Sequence, residues 1–161
     1  FDGRVRWVFN HYNVVGMFAD TDEWEPYIAQ WELDYGDRLQ VYPRSNGSHI
    51  RFPMNGYKRD VMSELKTMRA AFNEPMRTVS KYDEPDVTNI QLFADPRLID
   101  HFRNGRRKDR PEGYLVFKET QNSPHKIDAA MAGLLAYRAR DIYLGAAVSN
   151  EEESFAPVRV W

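Results

Sequence analysis

A short apolar run, Val14-Val15-Gly16-Met17-Phe18-Ala19, stops abruptly at Asp20. A segment that is apolar on both faces suits a central parallel strand covered by helices on each side. Its flanks agree with that placement. Phe1, Val5, Val8 and Tyr12 recur at helical spacing before the run, and Trp24, Tyr27, Ile28, Trp31 and Tyr35 form an apolar stripe after it. Asp22 followed by Glu25 predicts a capping-box-like start for the second helix, and Gly36 stands where a helix C-terminal glycine belongs.

Further along, Leu39 to Tyr42 reads as a short strand and Pro43 to Gly56 as a loop. Tyr57, Val61, Leu65, Met68 and Phe72 mark one face of another helix. Glu74 to Asp86 reads as an exposed connection, and Asn89 to Phe93 as a weak strand. Asp95-Pro96 predicts a short helix, with Asp as N-cap and Pro at the first helical position, ending near Asn104-Gly105. A basic loop, Arg106 to Arg110, leads into a strand over Tyr114 to Lys118. The last helix is expected from Ser123-Pro124 to about Tyr143, with a tail after it. Alternating strands and helices predict an α/β fold with a mostly parallel sheet. The chain opens at Phe1, already inside an amphipathic pattern, and is expected to be part of something longer.

Composition narrows the chemistry. With no cysteine, disulfide scaffolds, cysteine-ligated zinc and thiol catalysis are excluded. Lys and Arg total 22 against 24 Asp and Glu, which excludes a polybasic tail but allows a local basic groove. No apolar run approaches the roughly 18 residues of a membrane helix, and no signal peptide is visible, so the chain is expected to be soluble and intracellular.

Two acids stand in unusual places. Asp20 lies at the carboxyl end of the most apolar strand, where open α/β sheets bind ligands; capping of the following helix is the plainer reading, although Asp22 looks better placed for it. Asp128 lies in the first turns of the last helix, in line with Ala132, Leu135 and Ala139. A carboxylate on an apolar face needs a cation or donors, whereas one near the positive end of the helix dipole is favourable without any ligand. Both readings stay open for both acids. Taken together they suggest a divalent cation on oxygen ligands, Mg²⁺ or Mn²⁺ rather than zinc. Paired ions about 3.5–4 Å apart activate water and stabilise the leaving oxygen in phosphodiester cleavage. The histidines His11, His49, His101 and His125 show no metal-ligand pairing, and His125 is expected to be solvent-exposed.

Basic residues cluster close by in sequence. Arg97, Arg103, Arg106, Arg107, Lys108 and Arg110 face only Asp100 and Asp109, and Lys118 and Lys126 flank the loop before Asp128. A charge run is usually a solvated face; beside a candidate site it also suits phosphate contacts that position DNA without reading its sequence.

The segment Ser123-Pro124-His125-Lys126-Ile127-Asp128-Ala129-Ala130-Met131-Ala132, continuing through Leu135-Ala136-Tyr137-Arg138-Ala139-Arg140, resembles the C-terminal part of phage terminase large subunits. Phe18-Ala19-Asp20 with Trp24 and Trp31 resembles their strand-acid-helix element, and Gly113 to Glu119 the strand before their last helix. The resemblance covers most of the region from Phe1 to Tyr143, and the last helix is its specific part. It implies a ribonuclease H-like mixed sheet flanked by helices, N-terminally truncated, with a partial nuclease domain over 1–145 and a tail over 146–161. Asp20 would be the second acidic metal ligand and Asp128 the third, with Lys118 meeting phosphate. Such proteins join an ATP-driven translocase to a nuclease that cuts concatemeric viral DNA in the host cytoplasm, working with the portal and the small terminase subunit. The chain departs from the pattern in two ways. No residue matches the family's first catalytic aspartate, and no Gly-x-x-x-x-Gly-Lys-Ser/Thr loop is present, so ATP would belong to a motor domain outside this chain.

The sequence therefore predicts part of a Mg²⁺- or Mn²⁺-dependent DNA endonuclease. Asp20 and Asp128 would be both catalytic and metal-binding; Lys118, Lys126, Arg106, Arg107, Lys108 and Arg110 would hold double-stranded DNA. Cutting is expected to be sequence-tolerant, since no recognition helix or zinc finger is visible. The alternative is a non-catalytic DNA-clamp or assembly module on the same fold. A nucleotide-binding α/β enzyme fits less well, because no Gly-rich loop follows a strand.

Overall fold

A computed structural model describes residues 2–44, 47–73, 90 and 95–154. Its helices are α1 (Asp2–His11), α2 (Thr21–Tyr35), α3 (Lys58–Asn73), α4 (Pro96–Arg103) and α5 (Asp128–Ser154), and its strands are β1 (Arg106–Arg110) and β2 (Gly113–Phe117). The described residues are thus mixed helix and sheet, and the one ladder among them is an antiparallel two-stranded sheet. It divides into two compact units, Phe1–Met54 with Leu135–Trp161, and Asn55–Leu134. The expected Asn89 to Phe93 strand and Glu74 to Asp86 connection lie outside the described residues, apart from Ile90.

In the first unit, Ile28, Trp31 and Tyr35 of α2 join Phe9, Leu39 and Ile50 in a core cluster. The α1 face that reaches it is Val5 and Phe9, four residues apart. The expected α1 stripe is corrected accordingly: Val8 is 39% exposed and Tyr12 61%. Phe9 is held from two sides. Its ring stacks on Tyr35 at 4.1 Å between centroids, and Arg38 donates to its carbonyl at 2.7 Å. Gly36 does end α2, but in a right-handed conformation that opens a single 3₁₀ turn, Gly36–Arg38.

The apolar run does not become a central strand of a parallel sheet. It is an extended segment with one parallel bridge, Ala19 to Arg51. The Gln40 amide donates to the Val15 carbonyl at 2.8 Å, Ala19 N–H to the Ile50 carbonyl at 2.8 Å, and Phe52 N–H to the Ala19 carbonyl at 2.9 Å. Residues 39–41 and 50–52 therefore share the pairing along the run. Pro43, lacking an amide hydrogen, stands where the first of these would have to continue as a ladder. Leu39 and Val41 still alternate with exposed Gln40 and Tyr42, so the expected strand keeps its side-chain pattern without its ladder.

The expected loop Pro43 to Gly56 needs the larger correction, since Ile50 and Phe52 are among the most buried side chains. Each contributes about 1.5–3 kcal/mol by leaving water. A polar clasp delivers them. The Glu32 carboxylate accepts from the Ser48 hydroxyl and the His49 amide, both at 2.5 Å. The Ser48 hydroxyl oxygen accepts in turn from the amides of Ile50 and Arg51 at 3.1 and 2.8 Å.

In the second unit, α3 packs on β2. The Tyr114 hydroxyl donates to the Leu65 carbonyl at 2.9 Å, and Lys66 donates to the Glu112 carbonyl at 3.2 Å. Val61, Met62, Met68 and Ala71 are the buried side of α3, while Phe72 is 39% exposed. The start of α4 follows its sequence signal: Asp95 accepts from the Arg97 amide at 2.8 Å, with Pro96 first in the helix. The segment Arg106 to Arg110 is a strand rather than a loop. It pairs in register with β2, Arg106 opposite Phe117 and Lys108 opposite Leu115, and exposes every side chain. Charged side chains suit an edge strand, where they discourage further pairing.

The last helix begins at Asp128, not at Ser123-Pro124, and continues through Ser154. Ser123 is buried and its hydroxyl oxygen accepts from the His125 amide at 3.2 Å, so Ser-Pro caps a turn ahead of the helix.

Candidate functional site

Asp20 occupies the N-cap position of α2, and Asp22 lies inside the first turn. The plainer reading of Asp20, a helix cap, thus describes its position, while Asp22, expected to be better placed for that role, lies within the helix. Asp20 nevertheless closes no capping hydrogen bond through its side chain. Its Oδ1 accepts from the Met54 amide at 3.1 Å instead. The Ile50 carbonyl accepts from Ala19 and the Phe52 amide donates back to Ala19, while the Met54 amide, two residues on, reaches the carboxylate rather than a carbonyl. Burial pushes the Asp20 pKa up from its ordinary 3.8, and the charge of Asp22 pushes the same way. The Met54 amide, and more weakly those of Asp22 and Thr21, pull it down without cancelling the burial. A half-buried carboxylate held by an amide, with no cation bonded to it among the described residues, is a competent oxygen ligand.

Asp128 is different. It is exposed at the first residue of α5, so the burial that would have demanded a cation is not there. Of the residues aligned with it, Leu135 and Ala139 are buried, whereas Ala132 is exposed. The apolar face thus reaches solvent before it reaches Asp128, and the position next to the helix N-terminus accounts for a carboxylate. Asp20 and Asp128 belong to different units. Among the described residues, no group of three or more His, Asp or Glu side chains forms a metal-binding cluster.

Sequence reasoning missed the residue that fixes the start of α5. His101 of α4 accepts the Ala129 amide on Nδ1 at 2.9 Å, satisfying one of the free donors of the helix N-terminus. Asn104 donates to the Lys126 carbonyl at 3.0 Å and ties down the preceding turn. Its only sequence signal was a histidine at the end of a capped helix. His125 is exposed, as expected.

The structure gathers four of the six predicted DNA-binding residues. Arg106, Arg107, Lys108 and Lys118 line one cavity of about 660 Å³, with Glu119 the one acid in its lining. Ile127, the chain neighbour of Asp128, also lines it. Arg110 and Lys126 do not. The four cations are not equivalent. Arg107 is held by Asp109 at 2.7 Å and lies over the Tyr114 ring at 4.5 Å. Arg106 donates to the Arg103 carbonyl at 2.8 Å. The Lys108 ammonium lies 5.9 Å from the centroid of Phe117, which sequence reading treated only as a strand residue. Lys118 has no ion-pair partner among the described residues.

No family profile matches the chain, and no solved structure matches it. It is similar to two bacteriophage proteins. One is the "Gene 13 protein" of Mycobacterium phage L5, 30% identical over 146 residues, covering 89% of this chain and 22% of that protein. The other is the "Gene 13 protein" of Mycobacterium phage D29, 28% identical over 144 residues with the same coverages, 89% and 22%. The chain therefore spans about a fifth of the length of these curated relatives, 22% in each case. No helix among the described residues is long and apolar enough to cross a membrane.

Proposed function

We propose that this chain is part of the nuclease of a phage terminase large subunit, a Mg²⁺- or Mn²⁺-dependent endonuclease that cuts concatemeric double-stranded DNA. The observation that carries the reading is the cavity itself. It collects four cations and is lined by Ile127, the chain neighbour of Asp128, where the last helix on which the terminase resemblance rests begins. Likeness to proteins of two phages supports the setting. The parallel bridge beside Asp20 supports a ribonuclease H-like sheet, in which the acid-bearing strand runs parallel to a neighbour.

On this reading Asp20 and Asp128 are metal ligands, and the metal pair supplies an activated water and stabilisation of the leaving oxygen. The cavity cations hold backbone phosphates, and the portal and small terminase subunit are the assembly partners in the host cytoplasm. Motor chemistry with ATP belongs to sequence outside this chain. The alternative, a non-catalytic DNA clamp, is favoured by the exposed cationic strand β1, which needs no metal to bind phosphate.

The test is Mn²⁺ titration of the isotope-labelled chain, followed by NMR. A bound paramagnetic ion is expected to broaden the amides around Asp20 and around Asp128, and Asp20→Asn or Asp128→Asn to reduce the effect at the acid it replaces. No selective broadening at either acid overturns the metal reading and leaves the clamp. In a longer form carrying the upstream strand, the same two variants are expected to lose plasmid cleavage while keeping DNA affinity.

A further inference from the structure

Phe117 is the one large apolar side chain of the hairpin that the core does not use. It is 41% exposed at the end of β2, while Tyr114 and Leu115 of the same strand are buried at 9% and 7%. The β1–β2 register sets Arg106 directly opposite it. Directly opposed residues share a face, and so do residues two apart on one strand, so Lys108 stands on that face too. Its ammonium is 5.9 Å from the ring centroid. Lys118 follows Phe117 in the chain, and all four lie in the wall of the same cavity.

An exposed aromatic ring among unneutralised cations is the combination that binds unpaired nucleotides: the ring takes a base and the cations take its phosphates. The cavity volume, about 660 Å³, is within the range of small-molecule sites, ~300–1,000 Å³. Thr120 and Gln121 in its wall add neutral hydrogen-bonding groups beside the ring. Duplex DNA keeps its bases stacked inside and offers the ring only its backbone.

We propose that the hairpin cavity takes an unpaired nucleotide of single-stranded DNA, its base stacked on Phe117 and its phosphates on Arg106 and Lys118. This inference rests on the nucleic-acid reading above and deepens it, by adding a stacked unpaired base to the backbone contacts of the same cations.

Fluorescence anisotropy of the full 161-residue chain tests it with three labelled probes of equal length: oligothymidylate, an abasic oligonucleotide and a duplex. Oligothymidylate is expected to bind about tenfold more tightly than the abasic strand, in keeping with one stacked base. Phe117→Ala removes that difference, Phe117→Trp keeps it, and neither changes duplex binding. Arg106→Ala with Lys118→Ala weakens all three probes. Equal binding of oligothymidylate and the abasic strand overturns the stacking site, and so does a Phe117→Ala variant that keeps their difference. If the double variant still weakens all probes in either case, DNA binding by the cavity survives. Binding of no probe overturns both readings.

Discussion

Asp20 and His101 are the two residues whose chemistry departs most from a generic surface. Burial raises the Asp20 pKa above 3.8, so the folded state disfavours the ionised form. The sign follows from linkage. The destabilising contribution is fully present above the raised folded pKa and disappears as pH falls below the unfolded value. Asp20→Asn keeps an oxygen for the Met54 amide but carries no charge. It is expected to melt higher than the parent chain at pH 7, with the gap closing as pH approaches 3.8 and below. A gap that ignores pH in thermal unfolding would count against buried charge as the cause. His101 acts through another residue. Replacing it with Ala leaves the Ala129 amide without its acceptor and is expected to cost about 0.5–2 kcal/mol, the usual range for a lost N-cap. Urea unfolding measures that cost. Faster exchange of the Ala129 amide would separate a loosened helix start from general destabilisation. Because Asp128 is the first residue of the same helix, His101 is a positioning residue for it, and weaker Mn²⁺ broadening around Asp128 is expected in this variant.

At the scale of elements, a close approach joins the extended segment to its neighbours at Gly16. A Cβ there would stand 2.6 Å from Val41 Cγ2 and 3.1 Å from Ala139 Cβ. Gly16→Ala therefore has to displace two buried side chains, and a loss of about 1–3 kcal/mol is expected in urea unfolding, as for other overpacked cores. A loss much below this would mean that α5 can slide away from the segment. The same contact explains what the sequence could and could not reveal. Ala139, a small residue of α5, makes its close approach against Gly16. Asp95-Pro96 announced a helix start, because a cap is chemistry within a few residues. Residues 50–52 could not be read in that way. Their burial depends on Glu32, far back in the chain, clasping Ser48 and His49, and Pro, Ser, Asn and Gly around them looked like loop. Asp128 misled for a related reason. Helical spacing shows which residues share a face, but not where along the helix that face leaves the core. The candidate site was legible in part of its charges, since Arg106, Arg107 and Lys108 of the basic run do share a cavity with Lys118. It was not legible in Phe117, whose exposure is settled by what packs on β2.

At the scale of the whole molecule, charge decides how DNA can be held. The chain carries a formal net charge of -2, so the average field of the protein repels a polyanion. Any affinity must come from a local concentration of cations, and the cavity supplies four against one acid in its lining. Binding of this kind releases counterions, and log Kobs falls with log salt at about 0.9 per neutralised phosphate for duplex and about 0.7 for single strands. The two phosphate contacts proposed for Arg106 and Lys118 on single-stranded DNA thus predict a slope of roughly -1.4. The hairpin contacts predict unequal contributions. Lys118, with no ion-pair partner among the described residues, is expected to give up a full contact, so Lys118→Ala flattens the slope by about 0.7. Arg107 is already held by Asp109 and Tyr114, so Arg107→Ala is expected to change it much less. Affinity measured from low to moderate salt for both variants checks this order. Equal flattening would mean that DNA pulls Arg107 away from Asp109. A slope unchanged in both would move the DNA contacts off the hairpin altogether.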